Sequence, residues 1–192
     1  MLKKMVAMIT FCFLIACTDN EQNSIEPSQL TNREQLIINA LSDNVSVFDY
    51  QLTEDYQEIE LWVDRYENGE LVEERMNVLS SHIENREGSI LFSMSELAYT
   101  PTGAMAMIDE GSSGSVTFEL TGEGEREDYL ISQNTFPQET WNEQAVFAVL
   151  AYVDQEGAVS GINQSFFTEP DQHIGVLQGY QEAYVFRGKL IK

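Results

Sequence analysis

Histidine, the most common general base, is scarce in this sequence. Only two histidines, His82 and His173, occur in the 192 residues, and no serine stands in the G-x-S-x-G pattern of a nucleophile elbow. A serine hydrolase needs a histidine beside its serine, and zinc commonly uses two histidines in an H-x-x-x-H or H-E-x-x-H spacing, which is absent too. We therefore interpret both histidines as loop residues. We expect no catalytic residue, no metal site, no cofactor and no enzymatic activity.

Carboxylates are abundant, with 32 Asp and Glu, and two of them at a suitable separation would suffice for glycoside hydrolysis. No acidic residue stands in an apolar stretch at the end of an expected strand, where its pKa would be raised. The loop 121–128 contains Glu123, Glu125, Glu127 and Asp128, but it matches no EF-hand pattern, and Ca²⁺ requires about six to eight oxygens. We expect a solvated acidic loop rather than a calcium site.

Aromatic residues provide the candidate ligand-binding positions. Trp62 and Tyr66 have the opposite parity to Ile59, Leu61 and Val63 in one expected strand, so they lie on the other face of its sheet. If that face is wet, the two rings form an aromatic strip suited to a glycan or a protein partner. Trp141 lies in a loop before an apolar strand and could anchor a ligand or fill a core edge. We favour packing over binding for these rings.

The first 17 residues have the pattern of an export signal. Met1-Leu2-Lys3-Lys4 is a positive head, and Met5 to Ala16 carries no charge but is shorter than the roughly 20 residues of a membrane-spanning helix. Leu14-Ile15-Ala16-Cys17 resembles the lipobox of bacterial lipoproteins. That resemblance implies a signal peptide over residues 1–16, cleavage before Cys17, and a diacylglycerol with palmitate-like chains on the Cys17 thiol. Two acyl chains suffice for lasting attachment to a bilayer.

Processing at Cys17 changes the thiol content and the charge. Cys12 leaves with the signal peptide and Cys17 is acylated, so no disulfide remains possible. The mature chain loses two of the 10 Lys and Arg and none of the 32 acidic residues, which gives a net charge of −24. Nucleic acid is excluded as a partner, because binding it requires Lys and Arg that neutralise phosphate. We expect a monomer on the extracytoplasmic face of the cell membrane, and the polar segment 17–30 and acidic domain resemble those of Gram-positive lipoproteins.

The remaining sequence predicts a mainly β domain. Residues 17–30 are polar, contain Pro27 and show no periodicity, so we expect a flexible tether. Thr31-Asn32-Arg33-Glu34 has the form of a capping box, and Leu36, Ile37, Ala40 and Leu41 follow on one helical stripe. From Val45 onward the apolar residues recur with a period of two, which predicts strands. Hairpins are expected at Asn68-Gly69 and at Gly111 to Gly114. A strand buried on both faces is expected over 144–153, and a further strand is expected to reach Phe166-Phe167. Residues 31–192 are therefore expected to form one antiparallel β-sandwich, immunoglobulin-like in architecture, with one N-terminal helix; the alternative is a helix on a single curved sheet.

Three functions remain open for this domain. The first is a non-enzymatic, membrane-anchored domain that binds an envelope protein or glycan. The second is a carrier of a small apolar ligand, with Met94, Met105 and Met107 as adaptable lining. Carboxylate-dependent hydrolysis of an envelope polymer ranks last, because no pair of acids stands out. The three basic residues near the end, Arg187, Lys189 and Lys192, are expected to pair with nearby carboxylates.

Overall fold

The structure, a computed structural model, describes residues 23–42, 44–95, 102–109, 113–120, 129–135, 141, 144–153 and 161–192. It contains ten strands and three α-helices, with a 3-10 helix at Ile174–Gly179. The helices are α1 (Asn32–Leu41), α2 (Gln164–Thr168) and α3 (Pro170–His173). The strands are β1 (Ser24–Pro27), β2 (Asn44–Gln51), β3 (Glu58–Glu67), β4 (Glu70–His82), β5 (Glu87–Ser95), β6 (Thr102–Asp109), β7 (Ser113–Glu119), β8 (Tyr129–Gln133), β9 (Gln144–Tyr152) and β10 (Glu182–Ile191).

The strands form two antiparallel sheets of five strands each. The first sheet has the order β1-β2-β5-β6-β7, and the second has the order β4-β3-β10-β9-β8. The predicted β-sandwich is therefore confirmed, and the alternative of a single curved sheet wrapped on a helix is wrong. The strand expected over 144–153 is confirmed as an inner strand, β9, that is buried along nearly its whole length.

The main core lies between the two sheets and is rich in phenylalanine. Phe92 lies 5.1 Å, ring centre to ring centre, from both Phe147 and Phe186, and Phe48 lies 5.4 Å from Phe147. Aromatic pairs prefer such tilted contacts to face-to-face stacking. Ile59, Leu61 and Val63 are fully buried in the same core, which confirms the inward parity read from β3.

The strands of both expected hairpins pair as predicted, although residues 110–112 between β6 and β7 lie outside the described residues, and the first hairpin has a bulged return strand. Asn68 and Gly69 connect β3 to β4 with φ of 49° and 81°, the positive values that a tight hairpin turn requires. In β4, Arg75 and Asn77 also have positive φ, and the pairing with β3 shifts register three times. Since β4 is an edge strand, these bulges interrupt the regular edge that another chain could pair with.

The expected tether is wrong over part of its length, because Ser24–Pro27 forms strand β1. This strand pairs with β2 at the edge of the first sheet, and Ile25 enters the main core. A four-residue strand with one buried apolar side chain leaves no alternating pattern in the sequence. Pro27 is compatible with it because an edge strand has unpaired backbone positions. The fold therefore begins by Asn23 rather than at residue 31.

The strand expected to reach Phe166-Phe167 is also wrong, because the two rings lie in helix α2. The Asn163 side chain accepts a hydrogen bond from the Phe166 backbone N–H and so caps the helix. Both rings pack on the outer face of β9 and β10, where they form a second hydrophobic core with Leu177 and Val185. Two adjacent buried phenylalanines fit neither a simple helical stripe nor strict alternation, so periodicity alone does not identify this segment.

Candidate functional site

The three aromatic residues singled out from the sequence are all buried. Trp62, Tyr66 and Trp141 are 2%, 5% and 1% exposed. Trp62 and Tyr66 do lie on the outer face of the second sheet, but the Arg75 guanidinium covers Trp62 at 4.4 Å and the second core covers Tyr66. Trp141 packs in the main core against Tyr50 and Phe147. The described surface therefore has no solvent-exposed strip formed by Trp62 and Tyr66, and a binding role for any of the three rings stays a prediction.

Charged side chains occupy the rest of this outer face. The buried Arg187 forms an ion pair with the buried Asp64 at 2.8 Å and donates a hydrogen bond to the Tyr66 hydroxyl at 3.2 Å. Asp64 also accepts a hydrogen bond from the Arg75 backbone N–H at 2.8 Å. This arrangement holds β3, β4 and β10 together. Arg187, Asp64 and Tyr66 are therefore bound to one another, so these side chains are not free to contact a substrate.

Glu60 connects two further cations on the same face. Its carboxylate lies 2.7 Å from Arg75 and 2.9 Å from Lys189. Burial acts to raise the pKa of Glu60, but the hydrogen bonds and charges of Lys189 and Arg75 outweigh it and hold that pKa below its usual value. With Lys192 bound to Glu54, each basic residue of the C-terminal cluster has an acidic partner, as expected from the sequence.

The two histidines and the acidic residues that the structure describes form no recognisable catalytic set. His82 is the last residue of β4 rather than a loop residue, and His173 lies in α3, 3.9 Å from Glu169. Within the part of the chain that the structure describes, no group of three His, Cys, Asp or Glu side chains is close enough to hold a metal ion. The candidate calcium loop 121–128 lies outside the described residues, as do Cys12 and Cys17.

An open acidic groove lies at one end of the first sheet. Its volume is about 650 Å³, and its lining includes Glu26, Asp49, Glu87 and Asp109. The Tyr50 side chain also borders it, and burial, together with the charge of Asp109, raises the pKa of Tyr50 to about 12. The Tyr50 hydroxyl therefore stays protonated at neutral pH and cannot serve there as a base.

A second cavity, of about 310 Å³, lies between the sheets beside α1. Strands of both sheets line it with apolar side chains, Phe92, Met94, Ile131, Ala148, Leu150 and Phe186, and β2 adds the polar residues Asn44 and Ser46. Exposed amides of Gln35 and Asn39 in α1 and of Gln133 in β8 line its mouth. None of its described lining residues carries a charge. A pocket that combines apolar side chains with uncharged polar groups can bind a small molecule with an apolar body and a polar end.

Sequence reasoning found little of this cavity. Met94 was proposed as adaptable lining and does line it, whereas Met105 and Met107 are fully buried core residues. In the sequence, the other residues of the cavity wall are not distinguishable from ordinary inward-facing residues of strands. A gap between two sheets depends on how closely they approach, and no local pattern in the sequence encodes that distance.

Helix α1 forms as expected, but Leu36, Ile37 and Ala40 of its apolar stripe do not face the core. The Thr31 hydroxyl accepts a hydrogen bond from the Glu34 N–H, and the Glu34 carboxylate accepts hydrogen bonds from the Thr31 N–H and hydroxyl, which completes the capping box. Gln35 and Asn39 face the cavity and are joined by a hydrogen bond of 2.9 Å. Leu36 and Ile37 are 72% and 51% exposed. Of the helices that the structure describes, none is long and apolar enough to cross a membrane.

Comparison with known proteins gives a family but no described relative. No curated protein matches the chain, and neither does any solved structure. The model of the YgaN domain matches residues 24–190. That match runs from the first residue of β1 almost to the end of β10 and so covers both sheets and both cores. The chain belongs to the YgaN domain family.

Proposed function

We propose that this protein is a membrane-anchored extracytoplasmic lipoprotein whose sandwich domain binds a small apolar ligand without catalysis. The cavity beside α1 is the observation that carries the binding role. Its volume of about 310 Å³ is near the lower end of ligand pockets, and about twice that of an apolar cavity that holds benzene. A ligand of about two fused rings, or a short hydrocarbon chain, fits that volume.

The lining of the cavity favours an uncharged ligand. A charged group transferred into an apolar site is strongly disfavoured unless an opposite charge meets it, and none of the described lining residues is charged. Amides at the mouth can donate and accept hydrogen bonds. The ligand we expect therefore has an apolar body and, at most, a neutral polar end such as a hydroxyl or an ester.

Two probes that differ by one charged group test this proposal. N-phenyl-1-naphthylamine is uncharged and apolar, whereas anilinonaphthalene sulfonate has the same rings and one sulfonate. We expect saturable fluorescence enhancement with the first probe and none with the second. Fluorescence titration of the purified protein gives both dissociation constants, and comparable binding of the two probes would contradict an uncharged-ligand cavity.

A cavity-filling variant locates the bound probe. Ala148 lines the cavity and is buried, so Ala148→Leu places a larger side chain inside it. We expect at least about tenfold weaker binding of the uncharged probe, with a folded domain, because the leucine occupies empty volume. Ala106→Leu is the matched control, since Ala106 is a half-buried residue of β6 that does not line the cavity. Unchanged binding by Ala148→Leu would place the probe elsewhere.

Anchoring through Cys17 is supported by the Leu14-Ile15-Ala16-Cys17 segment and is tested separately. In the Cys17→Ala variant, the thiol that accepts the lipid is missing. We expect an unprocessed precursor or a protein released from the membrane, detected by cell fractionation and by the mass of the N-terminal peptide. A variant that remains attached and is trimmed at the same place would rule out anchoring through this cysteine.

The other candidate functions have less support. Binding of an envelope protein or a glycan was expected to use exposed aromatic rings, and Trp62, Tyr66 and Trp141 are buried. Crosslinking in cells remains the test for such a partner. Carboxylate-dependent hydrolysis would need a pair of available acids; Asp64 and Glu60 do not provide one, because they are held in ion pairs with Arg187, Arg75 and Lys189.

A further inference from the structure

The inner face of β2 changes from apolar to polar where it lines the cavity beside α1. Tyr50 and Phe48 are buried on this face, and Ser46 follows them towards the start of the strand. An inward position of a sandwich strand normally carries an apolar residue, because a buried hydroxyl loses its hydrogen bonds to water. Ser46 is only 7% exposed and lines the cavity. A serine hydroxyl in this position requires a hydrogen-bonding partner.

Two other serines in and beside the first sheet have such a partner within the protein. Ser42 donates a hydrogen bond to the Met94 carbonyl at 2.6 Å, and Ser89 donates one to the Asp49 carboxylate at 2.7 Å. Among the residues that the structure describes, none forms a hydrogen bond with the Ser46 side chain. Because Ser46 borders the cavity, a molecule bound in the cavity can supply the partner.

Ser46 lies in the inner part of the cavity rather than at its mouth. Asn44, two residues earlier on the same face of β2, is half-buried, whereas Phe48, two residues later, belongs to the main core. Side chains two residues apart on one face of a strand are separated by about 7 Å. Phe92 pairs with Ser46 in the adjacent strand, and Ala148 belongs to the wall formed by the second sheet. A ligand that fills the cavity therefore contacts Ser46 within an otherwise apolar part of the wall.

We propose that the Ser46 hydroxyl binds the polar group of the ligand, and that the ligand is a small apolar molecule with a hydroxyl or a carbonyl. This inference rests on the proposed cavity-binding function and specifies which class of uncharged ligand the cavity accepts. A serine hydroxyl donates one hydrogen bond and accepts two, so it matches either group. A hydrocarbon of the same shape leaves the hydroxyl unpaired in the apolar wall, which weakens its binding relative to the oxygen-bearing molecule.

Two ligands of almost equal size test the role of Ser46. 2-Naphthol and 2-methylnaphthalene share two fused rings and differ by a hydroxyl in place of a methyl group, and equilibrium dialysis against the purified protein gives both dissociation constants. In Ser46→Ala we expect 2-naphthol to bind more weakly and 2-methylnaphthalene more tightly, so that the ratio of the two constants shifts roughly tenfold. Opposite changes of this kind cannot come from a general loss of folding. Ser115→Ala, at an exposed position of β7 that does not line the cavity, is the matched control and should change neither constant.

The outcomes separate the role of Ser46 from the binding function of the cavity. Ser46→Thr keeps a hydroxyl at this position and should keep the wild-type ratio of the two constants. A ratio that is unchanged in Ser46→Ala but shifts in Gln133→Leu assigns the ligand's oxygen to the cavity mouth and overturns the inference alone. Binding of N-phenyl-1-naphthylamine without any binding of 2-naphthol overturns it as well. If the wild-type protein binds none of the three compounds, the proposed cavity function fails and the inference fails with it.

Discussion

At the scale of single residues, the stability of the outer face of the second sheet depends on how its charged side chains are paired. Arg187 and Asp64 are both buried and lie 2.8 Å apart; Arg187 also donates a hydrogen bond to the Tyr66 hydroxyl, and Asp64 accepts one from the Arg75 backbone N–H. A buried ion pair adds little stability compared with an apolar pair, but loss of one partner leaves the other charge uncompensated. The exposed Lys192–Glu54 pair is different, because water solvates either partner when the other is removed.

Neutralising Asp64 tests this difference. We expect Asp64→Asn to lower the free energy of unfolding by about 3–5 kcal/mol, because Arg187 stays buried without a counter-charge. The asparagine keeps the shape of the side chain and an oxygen for the Arg75 N–H, so the effect reports on charge. Urea unfolding followed by tryptophan fluorescence provides the measurement. Glu54→Gln serves as the exposed control and should change stability by less than about 1 kcal/mol; equal effects of the two variants would argue against a buried pair.

At the scale of elements, local chemistry determined which parts of the fold could be predicted. The capping box at Thr31 and the Asn68-Gly69 turn each depend on a few adjacent residues, and both formed as expected. Strand β1 and helix α2 were not predicted, because each depends on packing against residues that are distant in the sequence. A four-residue edge strand and a five-residue helix carry too few positions to establish a period.

The candidate site was less predictable than the fold. Strand parity placed Trp62 and Tyr66 on the outer face of their sheet correctly, but it could not show what covers that face. The cover is Arg75, from a bulge in β4, and the helical segment before β10, about a hundred residues along the chain. The capping box likewise predicted where α1 begins, whereas no local pattern indicated that Leu36 and Ile37 would be exposed.

Helix α1 should be locally less stable than the sheets, and its cap should control that stability. In Thr31→Ala the capping hydrogen bonds with Glu34 are lost, which costs about 1 kcal/mol at a helix N-terminus. We expect faster hydrogen exchange over residues 34–41, measured by mass spectrometry, and an unchanged midpoint of global unfolding, because the helix makes few contacts with the sheets. Thr117→Ala on the exposed side of β7 is the control. A matching drop in global stability would mean that α1 is an integral part of the core.

At the scale of the whole molecule, two cores share a pair of strands. Strands β9 and β10 contribute Phe147 and Phe186 to the core between the sheets and Val149 and Val185 to the core beneath α2 and the 3-10 helix. The N-terminal segment is joined to the same body through Asn23, which donates to the Tyr56 hydroxyl at 2.7 Å and accepts from the Thr53 N–H at 3.0 Å. The segment that the sequence predicted to be a tether is therefore, from Asn23 onward, part of the folded domain.

Ile25 decides whether the segment before residue 31 belongs to the fold. Its side chain is buried in the main core although it lies in a strand of four residues. We expect Ile25→Ala to lower the free energy of unfolding by about 2–5 kcal/mol, the range for removing a buried aliphatic side chain, in urea titrations of the mature protein. Gln29→Ala, at an exposed position beyond β1, should have almost no effect. If both variants match the wild type, residues 23–30 act as a tether and the core does not depend on β1.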